Sequence, residues 1–542
     1  LTINRALSTG HFGKMKMLKR LVFLTVTLAF LTACAFFPAD STALPPPTTQ
    51  PADSPAETST PGISPPSATL DPNLPASLLG IPWDSPALFA PGLTPAHQQF
   101  ASIPGATVYH MALTIHDDLT TISGQAEIRY TNREELPLNE IQLRLYPNIL
   151  GGKTEITQVK VDDQPSEPTF SLGDSLMTVE LPAALNPGQA TSLFIEFAVS
   201  VPTDANKNYG VLASQDGVLT LAHSYPMVAV YDDDEGWNAE IPSESGDLTY
   251  NDASFYVVRV SAPKELALVA SGIEISSEEK GETRVVTFAL GPARDFMLAA
   301  TSGYQKFSQQ VDDITVNCYV PAKFRAEAES ALDTAEAALQ IFSERYSPYS
   351  YTEFDIIATP TFALGVEYPG LTALAANLFD DRAEGYSAPV QVMRESVLAH
   401  EIGHQWFYNM VGNDQLDEPW LDESLTQFIT WQYYADRYGV AAAEGFKTSL
   451  EDRWARVDYK KIPVGQPVAA YSGVEYSAIV YGRGALFFFD LREAMGKERF
   501  NTFLSGYTQD FSWKTTSTAA FKAEAKAACG CNLEEVFAEW ID

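Results

Sequence analysis

His400 and His404 stand four residues apart in the run Ser396 to Phe407, S-V-L-A-H-E-I-G-H-Q-W-F. On a helix that spacing puts both imidazoles on one face, one turn apart. Val397 and Phe407 fall near the same stripe, which turns the face toward the protein interior. Two neutral imidazoles so placed can share one Zn²⁺. Glu401 follows the first histidine directly. It is poorly placed as a ligand but well placed to accept a proton from a water in the open position. The third ligand must come from elsewhere, and Glu423 offers itself in P-W-L-D-E-S-L-T-Q-F, where a second helical run begins. His400, His404 and Glu423 form a His₂Glu set, which is a catalytic arrangement because one position stays free. A histidine pair on a helix is by itself more often structural. The carboxylate opening the next helix favours a metal centre, with one Zn²⁺ per chain.

These residues also carry a family resemblance. H-E-I-G-H-Q-W-F followed by W-L-D-E-S resembles the aminopeptidase N family of gluzincin metallopeptidases. G-V-E-Y-P-G at 365–370 resembles the family's G-x-M-E-N segment, and Y-G-R-G at 481–484 resembles its Y-x-K-G segment. The likeness spans about residues 105–542, with the motifs in the family's order. It implies a zinc aminopeptidase acting on peptides with a free amino terminus. Glu401 would be the general base and Tyr481 the phenol that steadies the oxyanion. Glu367 would pair with the substrate's α-ammonium, with Gly365 and Val366 in the same substrate-binding segment. The chain departs from the pattern in several places. Aligned on Glu367, Leu364 replaces the family's first glycine, Val366 its methionine and Tyr368 its asparagine, while Arg483 replaces a lysine. The glutamine or glutamate that commonly gives a second amine anchor is not recognisable before S-Y-P-M at 224–227. Tyr471 and Tyr476 compete with Tyr481 on residue type alone. Two other readings therefore stay open: a thermolysin-like endopeptidase without strict amine recognition, and a non-catalytic lipoprotein that holds peptides.

Such a site needs a body to carry it, and 542 residues suffice for two or three domains. A formal net charge of −34 argues against nucleic-acid partners. Near the start, K-M-K-M-L-K-R precedes the apolar run Leu21 to Ala33, which ends in L-T-A-C. This resembles a bacterial lipoprotein signal over residues 1–34, cleaved before Cys34, whose thiol receives the lipid. It implies export to the outer face of the cytoplasmic membrane or beyond; an ordinary secretory signal and an uncleaved anchor are the alternatives. Residues 35–101 are rich in Pro, Ser and Thr and read as a tether. Its later part, with Leu78, Leu79, Ile81, Trp83, Leu88 and Phe89, lies along the folded body.

Period-two alternation from Thr107 predicts an amino-terminal antiparallel β-sandwich or saddle over 102–304. His110, His116 and His223 inside it read as structural. Residues 305–542 follow as a thermolysin-like α+β catalytic domain. It has a helix over 324–346, a buried strand at 354–360 and an edge strand or loop at 362–370. The ligand-bearing helices are expected at about 388–412 and 421–438. L-E-E-V-F-A-E-W-I-D resembles the end of the family's catalytic domain, implying a short architecture. Cys318, Cys529 and Cys531 predict no disulfide framework, and a bridge across C-G-C is expected to be strained.

Overall fold

The computed structural model describes residues 77–542 apart from 233 and 234. The signal, Cys34 and the tether as far as 76 lie outside the described residues. From 77 on, the chain packs against both halves of the molecule. Trp83 stacks on His110 with ring centroids 4.6 Å apart, and Phe89 and Leu93 are buried. Thr94 donates from its amide to Ser350 O (2.9 Å) and from its hydroxyl to Tyr349 O (2.7 Å).

The alternating segments form an eight-stranded sheet. Its strands are Val108–Ile115 (β1), Thr121–Thr131 (β2), Lys153–Val161 (β3), Gln164–Pro165 (β4), Ala190–Ser200 (β5), Ser254–Pro263 (β6), Ile273–Lys280 (β7) and Thr283–Ala293 (β8). They lie in the order β7-β8-β6-β1-β2-β5-β3-β4. One pair departs from the antiparallel expectation: β1 and β6 run parallel, Val108 opposite Phe255. Parallel neighbours need a long crossover, and the chain between β5 and β6 supplies one. It contributes to two four-stranded sheets, one holding Leu138–Arg144 and Leu176–Leu185, the other Val218–Leu221 and Leu298–Thr301.

A five-stranded sheet follows, built from Tyr304–Val311 (β9), Ile314–Pro321 (β10), Glu353–Thr359 (β11), Gly365–Tyr368 (β12) and Leu371–Ala375 (β13). The order β9-β10-β11-β13-β12 leaves β12, the strand of Glu367, on an edge. The alanine-rich helix Arg325–Arg345 (α1) connects β10 to β11 and buries Ala328, Ala331, Leu332, Ala335, Ala338, Leu339 and Phe342 along one stripe. The remaining elements are helical: Val390–Gly403 (α2), Glu423–Tyr438 (α3), Val440–Ala455 (α4), a π-helical turn Ile479–Gly484, and further helices to Trp540. The fold is a β-rich amino-terminal domain followed by an α+β domain with helices toward its end.

Two expectations are corrected. The first ligand helix ends at Gly403, not near 412. The side chains after it go to different walls, which a continuing helix could not reach. Gln405 donates to Tyr368 O (2.9 Å) and accepts from Gly370 N (2.9 Å), Trp406 donates to Ser347 O (2.8 Å), and Phe407 packs on Tyr346. Cys529 and Cys531 are joined by a disulfide. Gly530 between them adopts left-handed backbone at φ 58°, closing the turn so that the two Cα atoms lie 5.0 Å apart. Cys318 is free and buried.

Candidate active site

His400 lies in the last turn of α2 and His404 caps its carboxy end. Helix α3 must come close for Glu423 to join them, and Gly403 allows this. A Cβ there would fall 2.8 Å from both Thr426 and Ile429 of α3. Asp422 caps α3, accepting from Glu423 N at 2.7 Å and from Gln415 Nε2 at 2.9 Å, which fixes where Glu423 begins.

The ligand atoms converge. His400 Nε2 and His404 Nε2 are 3.2 Å apart, and Glu423 Oε2 is 3.1 Å from the first and 3.5 Å from the second. Tetrahedral ligands at zinc–ligand lengths of about 2.0–2.1 Å stand about 3.3 Å from one another. The three separations match the edges of that tetrahedron, so the donor set fits one zinc ion. All three residues are buried. His404 Nδ1 donates to Phe407 O (3.0 Å), which leaves the Nε2 lone pair for a metal.

Glu401 and Glu367 stand beside His404, with one donor atom from each of the three within 4.8 Å of the others. Gly365 makes room: a Cβ at that position would lie 2.4 Å from Glu401 Oε1. Gly365 and Glu367 share one face of β12, whereas Val366 alternates to the other and packs against the core. Tyr481, in the π-helical turn, donates its hydroxyl to Glu423 Oε1, and its ring lies 6.1 Å from that of His400. The competing tyrosines separate by position. Tyr476 packs edge-on against Tyr481 at 5.6 Å, while Tyr471 is turned to Pro463 O (2.8 Å) and Val464 O (3.0 Å). Arg483 points away from the ligands. It is buried, donates to the carbonyls of Ile462, Trp540 and Glu539, and so ties down the last helix. His223 pairs with the buried Asp295 (2.8 Å) and His110 with Trp83, as structural histidines do; His116 is bonded to Ser123 at the surface.

Carboxylates dominate the electrostatics. Burial, and then the neighbouring acids, push Glu367, Glu401 and Asp247 above the usual carboxylate range and Asp422 up to about 8. Burial also works against the Glu423 charge, but hydrogen bonds from His400 and His404 prevail and hold its carboxyl well below that range. Burial opposes a charge on His404 as well, yet Glu367, Glu423 and Glu401 draw its pKa upward. This cluster is short of positive charge, and a divalent cation would supply it.

Sequence reasoning missed four contributors. Asp422 was readable as an acidic cap ahead of a helix. Gln405 adjoins His404 in the chain, but its partners Tyr368 and Gly370, like Asp247 and Arg453, come near only through tertiary folding, and no local spacing marks them.

The chain thus places a β-rich domain ahead of an α+β domain whose adjoining helices present two histidines and a glutamate at metal-ligand spacing. Residues 330–540 match the Peptidase family M1 domain, which supports the resemblance to the aminopeptidase N family. It is 22% identical over 447 residues to aminopeptidase 2 of Candida albicans, covering 80% of this chain and 46% of the relative. It is 25% identical over 450 residues to leukotriene A-4 hydrolase of Xenopus laevis, covering 78% of this chain and 68% of that protein. Of the aminopeptidase M1-A of Oryza sativa subsp. japonica the match covers 34%. The chain thus spans between a third and a half of these aminopeptidases. The crystal structure of an M1 zinc metallopeptidase from Deinococcus radiodurans superposes with a TM-score of 0.60 at 20% identity, covering 83% of this chain and 94% of that one. That likeness is one of fold.

Proposed function

We propose that the protein is a zinc-dependent aminopeptidase that removes residues from the free amino terminus of peptides. The observation that carries this reading is the convergence of His400, His404 and Glu423 at ligand spacing, with Glu401 and Glu367 beside them. A zinc ion held by those three residues would acidify water and polarise the scissile carbonyl. Glu401 takes the proton of the attacking water and passes it to the leaving amine. Tyr481, whose hydroxyl is a donor on the Glu423 side, hydrogen-bonds the oxyanion as the carbonyl becomes tetrahedral. Glu367 pairs with the α-ammonium and so sets the first peptide bond over the reacting groups.

The test compares a peptide with its amino-acetylated twin. The free peptide is expected to be cut with kcat/KM at least about tenfold higher, as a charge-assisted contact implies. Equal cleavage of the two would make the enzyme an endopeptidase with the same metal chemistry.

The same proposal extends to location. The basic start, the apolar run Leu21 to Ala33 and L-T-A-C support export with lipid on Cys34 and attachment to the outer face of the membrane. Mass spectrometry of membrane-extracted protein should find a lipidated Cys34 as the amino terminus; an unmodified terminus elsewhere would rule the anchor out.

A further inference from the structure

We propose that Arg453 receives the carboxylate of a short peptide substrate, so that the site reads both charged ends. This inference rests on the peptidase reading above and adds a size and end-group preference to it.

Arg453 sits in the last turn of α4, half-buried, with its guanidinium carbon 5.4 Å from the centre of the Tyr481 ring. Other arginines of these helices are committed: Arg345 to Asp436, Arg437 to Glu395, and Arg483 to backbone carbonyls. Among the described residues the Arg453 side chain has no ion pair and no hydrogen bond, only the ring beneath it. A guanidinium stacked on an aromatic face keeps its N–H edge available, and that edge matches a carboxylate with two parallel hydrogen bonds.

Its position is built into the chain. Gly482 follows Tyr481, and a Cβ there would lie 3.0 Å from Arg453 Cβ, Leu450 O and Trp454 N. The missing side chain lets α4 lie directly against the turn that carries Tyr481. The charges around the ligands are also sorted. Glu367 and Glu401 gather at His404. Arg453 and the Tyr481 ring stand on the side of His400. A short peptide has the same polarity, with its ammonium at one end and its carboxylate at the other. With the amine at Glu367 and the scissile carbonyl near Tyr481, the carboxyl end of a di- or tripeptide runs toward Arg453.

The competing role for Arg453 is to hold or polarise Tyr481 alone, which would affect every substrate alike. The test uses the full-length zinc-loaded protein and one tripeptide, Leu-Gly-Gly, as the free acid and as the carboxyl-terminal amide. In the wild type kcat/KM should favour the acid by about tenfold or more, mainly through KM. In Arg453→Gln the acid-to-amide ratio should fall to about one, and Arg453→Lys should lie between. Because each ratio is taken within one enzyme, a general loss of activity cancels. A wild-type ratio near one, or an Arg453→Gln ratio equal to that of the wild type, would overturn the proposal. If Arg453→Gln fails to fold, the wild-type and Arg453→Lys ratios decide. Failure of the wild type to cut either peptide would instead count against the peptidase reading itself.

Discussion

Glu401→Gln keeps the zinc content of the wild type and lowers kcat by about 10²–10⁴-fold on every peptide. The amide has the outline of the carboxylate, so it still fits the space that Gly365 leaves beside it. It cannot accept a proton, and the attacking water then has no base. His400, His404 and Glu423 are untouched, so metal analysis should read the same in both proteins. Stability should not fall either. Burial and the adjacent Glu367 oppose a charge at Glu401, and the neutral amide relieves that opposition. A metal-loaded Glu401→Gln enzyme with near-normal kcat would remove Glu401 from the mechanism.

His404→Ala should lose both metal and activity. His404 is the least exposed of the three ligands, and its Nε2 closes the triangle with His400 and Glu423. It is also the imidazole on which Glu367, Glu401 and Glu423 all act. Its removal leaves three buried carboxylates facing a truncated site, and an unpaired buried charge costs about 3–5 kcal/mol. After dialysis the variant should hold only a small fraction of the wild-type zinc and unfold at a lower temperature. Full zinc occupancy would show that the ligand set is misassigned.

The metal site was the most legible part of the chain, because its spacing is dictated by one helical turn and by the start of the next helix. His400, His404, Glu401 and Glu423 could be placed from pattern alone, and the structure brings their side chains together. The alternation of β1, β2 and β5 was equally readable, since one face of each strand is buried. What could not be read depends on contacts distant in sequence. The helix ending at Gly403 is set by walls at Ser347 and Tyr368, which no local period encodes. The parallel pairing of β1 with β6 depends on how the intervening chain crosses over. The disulfide across Gly530 needed that glycine's left-handed backbone, which the C-G-C spacing alone does not disclose. Arg453 shows the same limit most clearly. Nothing in its helix distinguishes it from the other arginines until Gly482 sets it against Tyr481.

The most direct measurement is a zinc titration of the metal-stripped wild-type protein, scored by hydrolysis of a free-amine aminoacyl anilide. Activity should be absent after chelation, rise in proportion to added zinc, and level off at about one equivalent per chain. Turnover that survives complete removal of metal, or that does not respond to zinc, would contradict the assignment of His400, His404 and Glu423 as a catalytic metal centre.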